Sequence, residues 1–149
     1  MKKTILPLLI LIIIAGFYAF NKFSTQNQNE VWTEKQLMPP AELAAILNNP
    51  AAKKPIIYNI GPAGYIPSSI EIGDTQEPEN LEKLKKELTK LSKDTAIVIY
   101  CGCCPYVNCP NIRPAFKLLN EMKFTNHKLL DLPQNLRVDW IDKGYPMNE

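Results

Sequence analysis

Four cysteines, every one in the chain, fall inside nine residues: Cys101-Gly102-Cys103-Cys104-Pro105-Tyr106-Val107-Asn108-Cys109. Chance scatter does not gather all thiols into one loop, so the segment is read as a site of thiol chemistry. The residues around it say what holds that chemistry. Thr95 to Tyr100 (TAIVIY) is a β-branched, apolar run of the kind that forms a buried strand, and it delivers the chain directly into Cys101. Pro110-Asn111-Ile112-Arg113-Pro114 follows and opens a helix. A sulfur at the end of a strand, above a loop that climbs into a helix N-terminus, faces backbone N–H groups that favour an anion. A thiolate there is stabilised and its pKa falls. The same amides, from Gly102 onward and with the helix start at Asn111 to Arg113, would hold an anionic sulfur species. Arg113 would add charge for an anionic substrate.

Three uses of such a cluster remain open. In the first, Cys101 is a nucleophile that forms a persulfide, and Cys103, Cys104 and Cys109 act as resolving or acceptor thiols. In the second, Cys101, Cys103, Cys104 and Cys109 bind a soft metal such as zinc or cuprous copper. The spacing Cys-x-Cys-Cys-x4-Cys differs from the paired C-x2-C of zinc ribbons, and cuprous copper is satisfied by two or three thiolates. In the third, disulfides among the four rigidify the loop, as an oxidising compartment favours. An Arg six positions after a cysteine would mark a phosphatase-type loop. The residues found there after Cys101, Cys103 and Cys104 are Val107, Cys109 and Pro110.

The elements that must position this loop alternate between strand and helix. Pro39-Pro40 opens a short helix carrying Leu43, Ile46 and Leu47 on one stripe. Ile56 to Ile60 is a buried-type strand stopped by Gly61-Pro62, and Ile66 to Ile72 holds a second short strand. Pro78 to Ser92 places Leu81, Leu84, Leu88 and Leu91 at helical spacing, with a charged face bearing pairs such as Glu82–Lys86. Ile112 to Met122 is a helix, Lys128 to Leu132 a strand, and Leu136 to Lys143 a last helix closed by Gly144. Such alternation predicts an α/β fold: a small parallel sheet of four or five strands flanked by helices. His127, the only histidine, is expected in a surface loop, Trp140 in the core, and Asp139 and Asp142 on a solvated face.

The N-terminus differs from the rest. Lys2 and Lys3 precede the unbroken apolar run of residues 5 to 20. Cleavage after Ala19 or Ser24 would put Phe17 or Lys22 at the −3 position, which suits no signal peptidase. Ile5 to Phe23 gives 19 residues, within the roughly 17–25 that span a bilayer. Residues 1–23 are therefore read as a membrane anchor, or as a signal peptide if cleaved, and 24–30 as a polar tether. Residues 31–149 are read as the domain, facing the extracytoplasmic or periplasmic side, or secreted after cleavage. Beyond Lys2, Lys3 and Lys22 the chain has 14 basic and 15 acidic residues, so no nucleic-acid binding is expected.

Residues 39 to 147 resemble a rhodanese-like domain. The resemblance rests on Ile57-Tyr58-Asn59-Ile60, Gly64-Tyr65-Ile66-Pro67-Ser68-Ser69-Ile70, Ile97-Val98-Ile99-Tyr100-Cys101, Lys123-Phe124, and Trp140 with Gly144-Tyr145-Pro146. It implies sulfurtransferase chemistry with Cys101 as the sulfur-carrying nucleophile and no cofactor. Its partners would be a small sulfur-containing anion, or a protein thiol as acceptor. Asn111 falls where that family usually has its loop arginine. Asn59 stands for the family's strand acid and Tyr65 for its turn histidine, and the loop is longer than the family's.

Overall fold

Among the described residues strands and helices alternate as the sequence predicts, with one short strand, Leu37–Met38, added ahead of the first helix where the sequence suggested none. The computed structural model describes residues 31–64 and 66–148. The expected anchor at 5–23, the tether at 24–30 and Tyr65 lie outside them. Among the described residues no helix is long and apolar enough to cross a membrane.

The strands are β1 (Leu37–Met38), β2 (Ile56–Asn59), β3 (Ser69–Glu71), β4 (Ile97–Tyr100) and β5 (His127–Leu130). They form one sheet in the order β1-β5-β4-β2-β3, with every neighbouring pair parallel. β4 is therefore central, between β2 and β5. Parallel strands need covered faces, and β4 is buried at all four positions. Helices α1 (Pro40–Asn48), α2 (Pro78–Leu88) and α3 (Ile112–Glu121) supply most of that cover. Each has a proline in its first turn, where a missing N–H costs no bond.

Strand alternation divides the core in two. Ile97, Ile99 and Cys101 point to the face where Leu84 and Leu88 of α2 and Phe116 and Leu119 of α3 pack. Val98 and Tyr100 point the other way, toward Leu43 and Leu47 of α1 and toward Trp140. Cys101 thus emerges from the central strand on the side of α3, and this parity decides where its sulfur goes. Trp32 belongs to the same cluster, packed edge-on against Phe116 and Tyr106.

Four expectations need correction. His127 is not in a surface loop: it is the first residue of β5, buried against the Phe116 ring. The Thr125 and Asn126 backbones bond to Lys93 and Ile97, which starts the strand a residue earlier than the apolar pattern suggests. His127 pairs with Ile97 at the far end of β4 from Cys101. At about 3.3 Å per residue that separation is on the order of 13 Å, which forbids a Cys–His dyad. The last helix is also shorter than expected, a single wide turn over Arg137–Ile141. Asp139 holds its start by accepting the N–H groups of Gln134 and Asn135, so it is a cap rather than a merely solvated acid. Trp140 is fully buried as expected, with its indole N–H on the Pro146 carbonyl. The helix-surface pair is Lys85–Glu82, one turn apart, rather than Glu82–Lys86.

Helix α3 ends through Lys123, which holds the left-handed φ of +62° that glycine adopts freely. A side chain in that conformation costs about 1–2 kcal/mol, and glycine loses roughly 0.5–1 kcal/mol in chain entropy. Lys123→Gly is therefore expected to raise stability by about 0.5–1 kcal/mol. Denaturant unfolding would read this as a higher midpoint, and a lower one refutes it.

Candidate functional site

The site begins where β4 ends. Cys101 follows Tyr100 with its residue 1% exposed, and Gly102 then reverses the chain at φ +81°. A side chain at Gly102 would be strained by that angle and would also crowd Leu136. The Gly102 carbonyl accepts the Leu136 N–H, which ties the loop to the segment leading into Trp140. Turning there brings the Cys103 backbone N–H back onto the Cys101 sulfur.

Across the loop, Asn111 caps the approach to α3 in an unusual way. As the residue before the helix its side chain makes no capping bond. Its Oδ1 instead accepts the Gln76 N–H at 3.3 Å, and this fixes the amide orientation. The Nδ2 group is then the one that faces Cys101 Sγ, at 3.5 Å, as a donor. The Asn111 carbonyl accepts the hydroxyl of Thr75, and both residues are buried. Thr75 and Gln76 had no visible role in the sequence. They lie in an unpatterned polar stretch, and only the packing of that stretch against α3 reveals them.

The other thiols close around the same atom. Cys101 Sγ and Cys103 Sγ are 3.3 Å apart, and Cys103 Sγ is 3.3 Å from Cys104 Sγ. The sulfurs of Cys101, Cys103 and Cys109 all lie within 4.8 Å of one another. All four cysteines are free thiols; Cys101 and Cys109 are buried, Cys104 is half-buried and Cys103 is exposed. On the fourth side stands Gly61, whose backbone comes so close that a Cβ there would collide with the Cys101 sulfur. The sequence marked Gly61 only as the stop of a strand.

These contacts determine the charge of the cluster. The Cys109 thiol donates to Cys101, and Asn111 and both the amide and the thiol of Cys103 donate as well. Together they overcome the penalty of burial and bring the Cys101 thiol down to about 6. Cys109, as donor to that thiolate and buried besides, is pushed far up. Burial, then the bonds to Cys101 and Cys104, push Cys103 up to about 12. Three neighbouring sulfurs therefore hold one negative charge at neutral pH, and Cys101 is the atom that carries it.

Reactivity follows the thiolate. In the reduced protein the rate of Cys101 alkylation by iodoacetamide is expected to rise through about pH 6 and to level above it, instead of rising near the ordinary 9.0. Peptide mapping of the alkylated protein reads this residue alone. A midpoint at the ordinary value would show that the surrounding donors do not stabilise the thiolate.

Arg113 engages the loop itself. Its guanidinium donates to the Val107 carbonyl at 3.0 Å and lies 5.2 Å from the Trp32 ring. These contacts clasp the short helical turn Tyr106–Asn108 and hold the loop against the core. Asn111, at the threshold of α3, is the amide side chain that faces the sulfur. Asn59, at the end of β2, is fully buried and accepts the Gly61 N–H, so it braces the glycine that faces Cys101. Comparison of the chain with protein families, curated proteins and solved structures finds no match.

Proposed function

We propose that this chain is a rhodanese-like sulfane-sulfur carrier, with Cys101 as the atom that accepts and releases the sulfur. One observation carries the reading: a single thiolate at the end of the central strand, ringed by Cys109, Asn111 and the Cys103 amide. A group of donors around one sulfur suits a nucleophile whose product is also an anion. The Cys101 thiolate attacks the outer sulfur of a small donor such as thiosulfate. The donor's S–S bond breaks, the sulfite leaves with the bonding pair, and Cys101 retains the outer sulfur as a persulfide anion. An acceptor thiolate or cyanide then attacks that sulfur, and Cys101 departs as the thiolate it was. No net oxidation occurs and no cofactor takes part.

The fold-level resemblance has support from particular residues. Cys101 follows the strand and precedes the loop and helix in the order the family uses. Lys123 stands where the family has the glycine of its Gly-Phe pair and takes a glycine's backbone angle. Trp140 and Pro146, from the terminal motif, are bonded to each other. Cys103, Cys104 and Cys109 serve in this reading as acceptor or resolving thiols. Lys2, Lys3 and the run at 5–23 support a tether that holds the domain on the extracytoplasmic face of a membrane. The test is cyanolysis of the reduced full chain after incubation with thiosulfate or polysulfide. One cyanide-labile sulfur per chain is expected, and none from either donor would overturn the reading.

A further inference from the structure

Three sulfurs stand at the corners of a triangle. Those of Cys101, Cys103 and Cys109 are mutually within 4.8 Å, and the Cys101–Cys103 edge is 3.3 Å. A metal–sulfur bond of about 2.3 Å in a planar three-coordinate centre needs sulfurs about 4 Å apart. The observed separations, from 3.3 Å on one edge to within 4.8 Å throughout, bracket that spacing. Cys104 is 3.3 Å from Cys103 but falls outside the mutually close trio. Among the described residues no histidine or carboxylate joins the group.

We infer that Cys101, Cys103 and Cys109 form a three-thiolate site for a soft monovalent ion, cuprous copper, and that Cys104 is not a ligand. Ligand type and ligand number make the choice. Thiolates prefer soft ions, and cuprous copper is content with three of them, whereas structural zinc takes four ligands. Magnesium and calcium require oxygen and are excluded by the donor set. The surroundings suit a resident ion. Asn111 Nδ2 donates to Cys101 Sγ and so orients that ligand without itself binding the ion. Two ligands are buried and the third is exposed, so the ion enters and leaves through Cys103. Binding replaces the remaining thiol protons with metal–sulfur bonds and releases those protons to water, with no change of oxidation state. Because Cys101 is shared, a chain holding copper cannot also hold a persulfide there.

This inference stands on the sulfur geometry and not on sulfur transfer, so either can fail alone. The test loads the full chain, reduced and under anaerobic conditions, with cuprous ion in competition with a chromophoric cuprous chelator. The wild type and Cys104→Ser are expected to retain one copper per chain. Cys109→Ser and the exposed Cys103→Ser are expected to retain it at least about tenfold less tightly. Zinc offered in place of copper is expected to wash out. The inference is overturned if the wild type keeps no copper, if Cys104→Ser loses as much as Cys103→Ser, or if zinc is held as firmly. Cys103 is exposed, so its substitution does not confuse lost ligation with lost folding. The assay contains no sulfur donor, and cyanolysis contains no copper, which keeps the two readings separable.

Discussion

Cys101→Ser is expected to carry no cyanide-labile sulfur after exposure to thiosulfate or polysulfide, a fall from one atom per chain to background. The hydroxyl that replaces the thiol is smaller and is not ionised near neutrality, so the ring of donors has no anion to hold. The two thiols nearest to it do not substitute for it. Cys103 and Cys109 are the donors to the Cys101 thiolate, and both are pushed upward, so neither is ionised at neutral pH. Cys103→Ser removes one donor while leaving Cys109, Asn111 and the residue 103 amide in place. It is expected to slow sulfur transfer without preventing loading. Full loading of Cys101→Ser would move the nucleophile to another thiol. Full loss in Cys103→Ser would make Cys103, and not Cys101, the carrier.

Gly61→Ala should be the most damaging single methyl added to the domain. The new carbon would collide with the Cys101 sulfur and would also stand 3.0 Å from the Cys101 carbonyl oxygen and 3.2 Å from its Cα. Rotating the cysteine side chain relieves only the first contact. The backbone of β4 must also shift, although β4 is the central strand and its residues are buried on both faces. Forcing a methyl into a packed interior typically costs about 1–3 kcal/mol. A lower denaturation midpoint is therefore expected. The functional loss should be larger, because a displaced sulfur leaves the Asn111 amide and the Cys109 thiol. Its alkylation profile should move from about 6 back toward that of an ordinary cysteine. A variant with wild-type stability and an unchanged profile would show that the approach of Gly61 is not what shapes the site.

Both variants bear on the same physical point. A thiol removed from water ordinarily resists ionisation, since burial penalises the charge. Here burial is outweighed because each group within reach of the Cys101 sulfur is a donor. Asn111 can only present its amide nitrogen, because Gln76 occupies its oxygen. Cys109 can only present its proton, because its own ionisation beside a thiolate is disfavoured. Arg113, the cation that the sequence offered to the site, bonds to the Val107 carbonyl of the loop. The charge at Cys101 is thus maintained by neutral hydrogen-bond donors, and it is less exposed to screening by salt than an ion pair would be.

Much of this architecture is written in the order of the residues. Alternating apolar runs and amphipathic stretches give a parallel α/β sheet, because a strand buried on both faces must be continuously apolar and its crossovers must be helical. The position of Cys101 at the end of β4 follows from TAIVIY running directly into the cysteines. Those are local properties, set by period and composition within a dozen residues. The strand order β1-β5-β4-β2-β3, the burial of His127 and the assembly of the sulfur's neighbours are not local. Gly61 comes from the turn after β2, Gln76 and Thr75 from the loop before α2, and Asn111 from the threshold of α3. Of these the sequence marked Asn111 as part of the helix start beside the loop, but Gly61, Thr75 and Gln76 carry no signature, since a glycine after a strand or a polar residue in a loop is ordinary. They acquire meaning only when long-range packing sets Gly61 against the Cys101 sulfur and fixes Thr75 and Gln76 on the Asn111 that faces it. Sequence therefore places Cys101 at the end of the central strand's run, and tertiary structure alone decides its charge, because that charge depends on the sum of short-range donors contributed from distant parts of the chain.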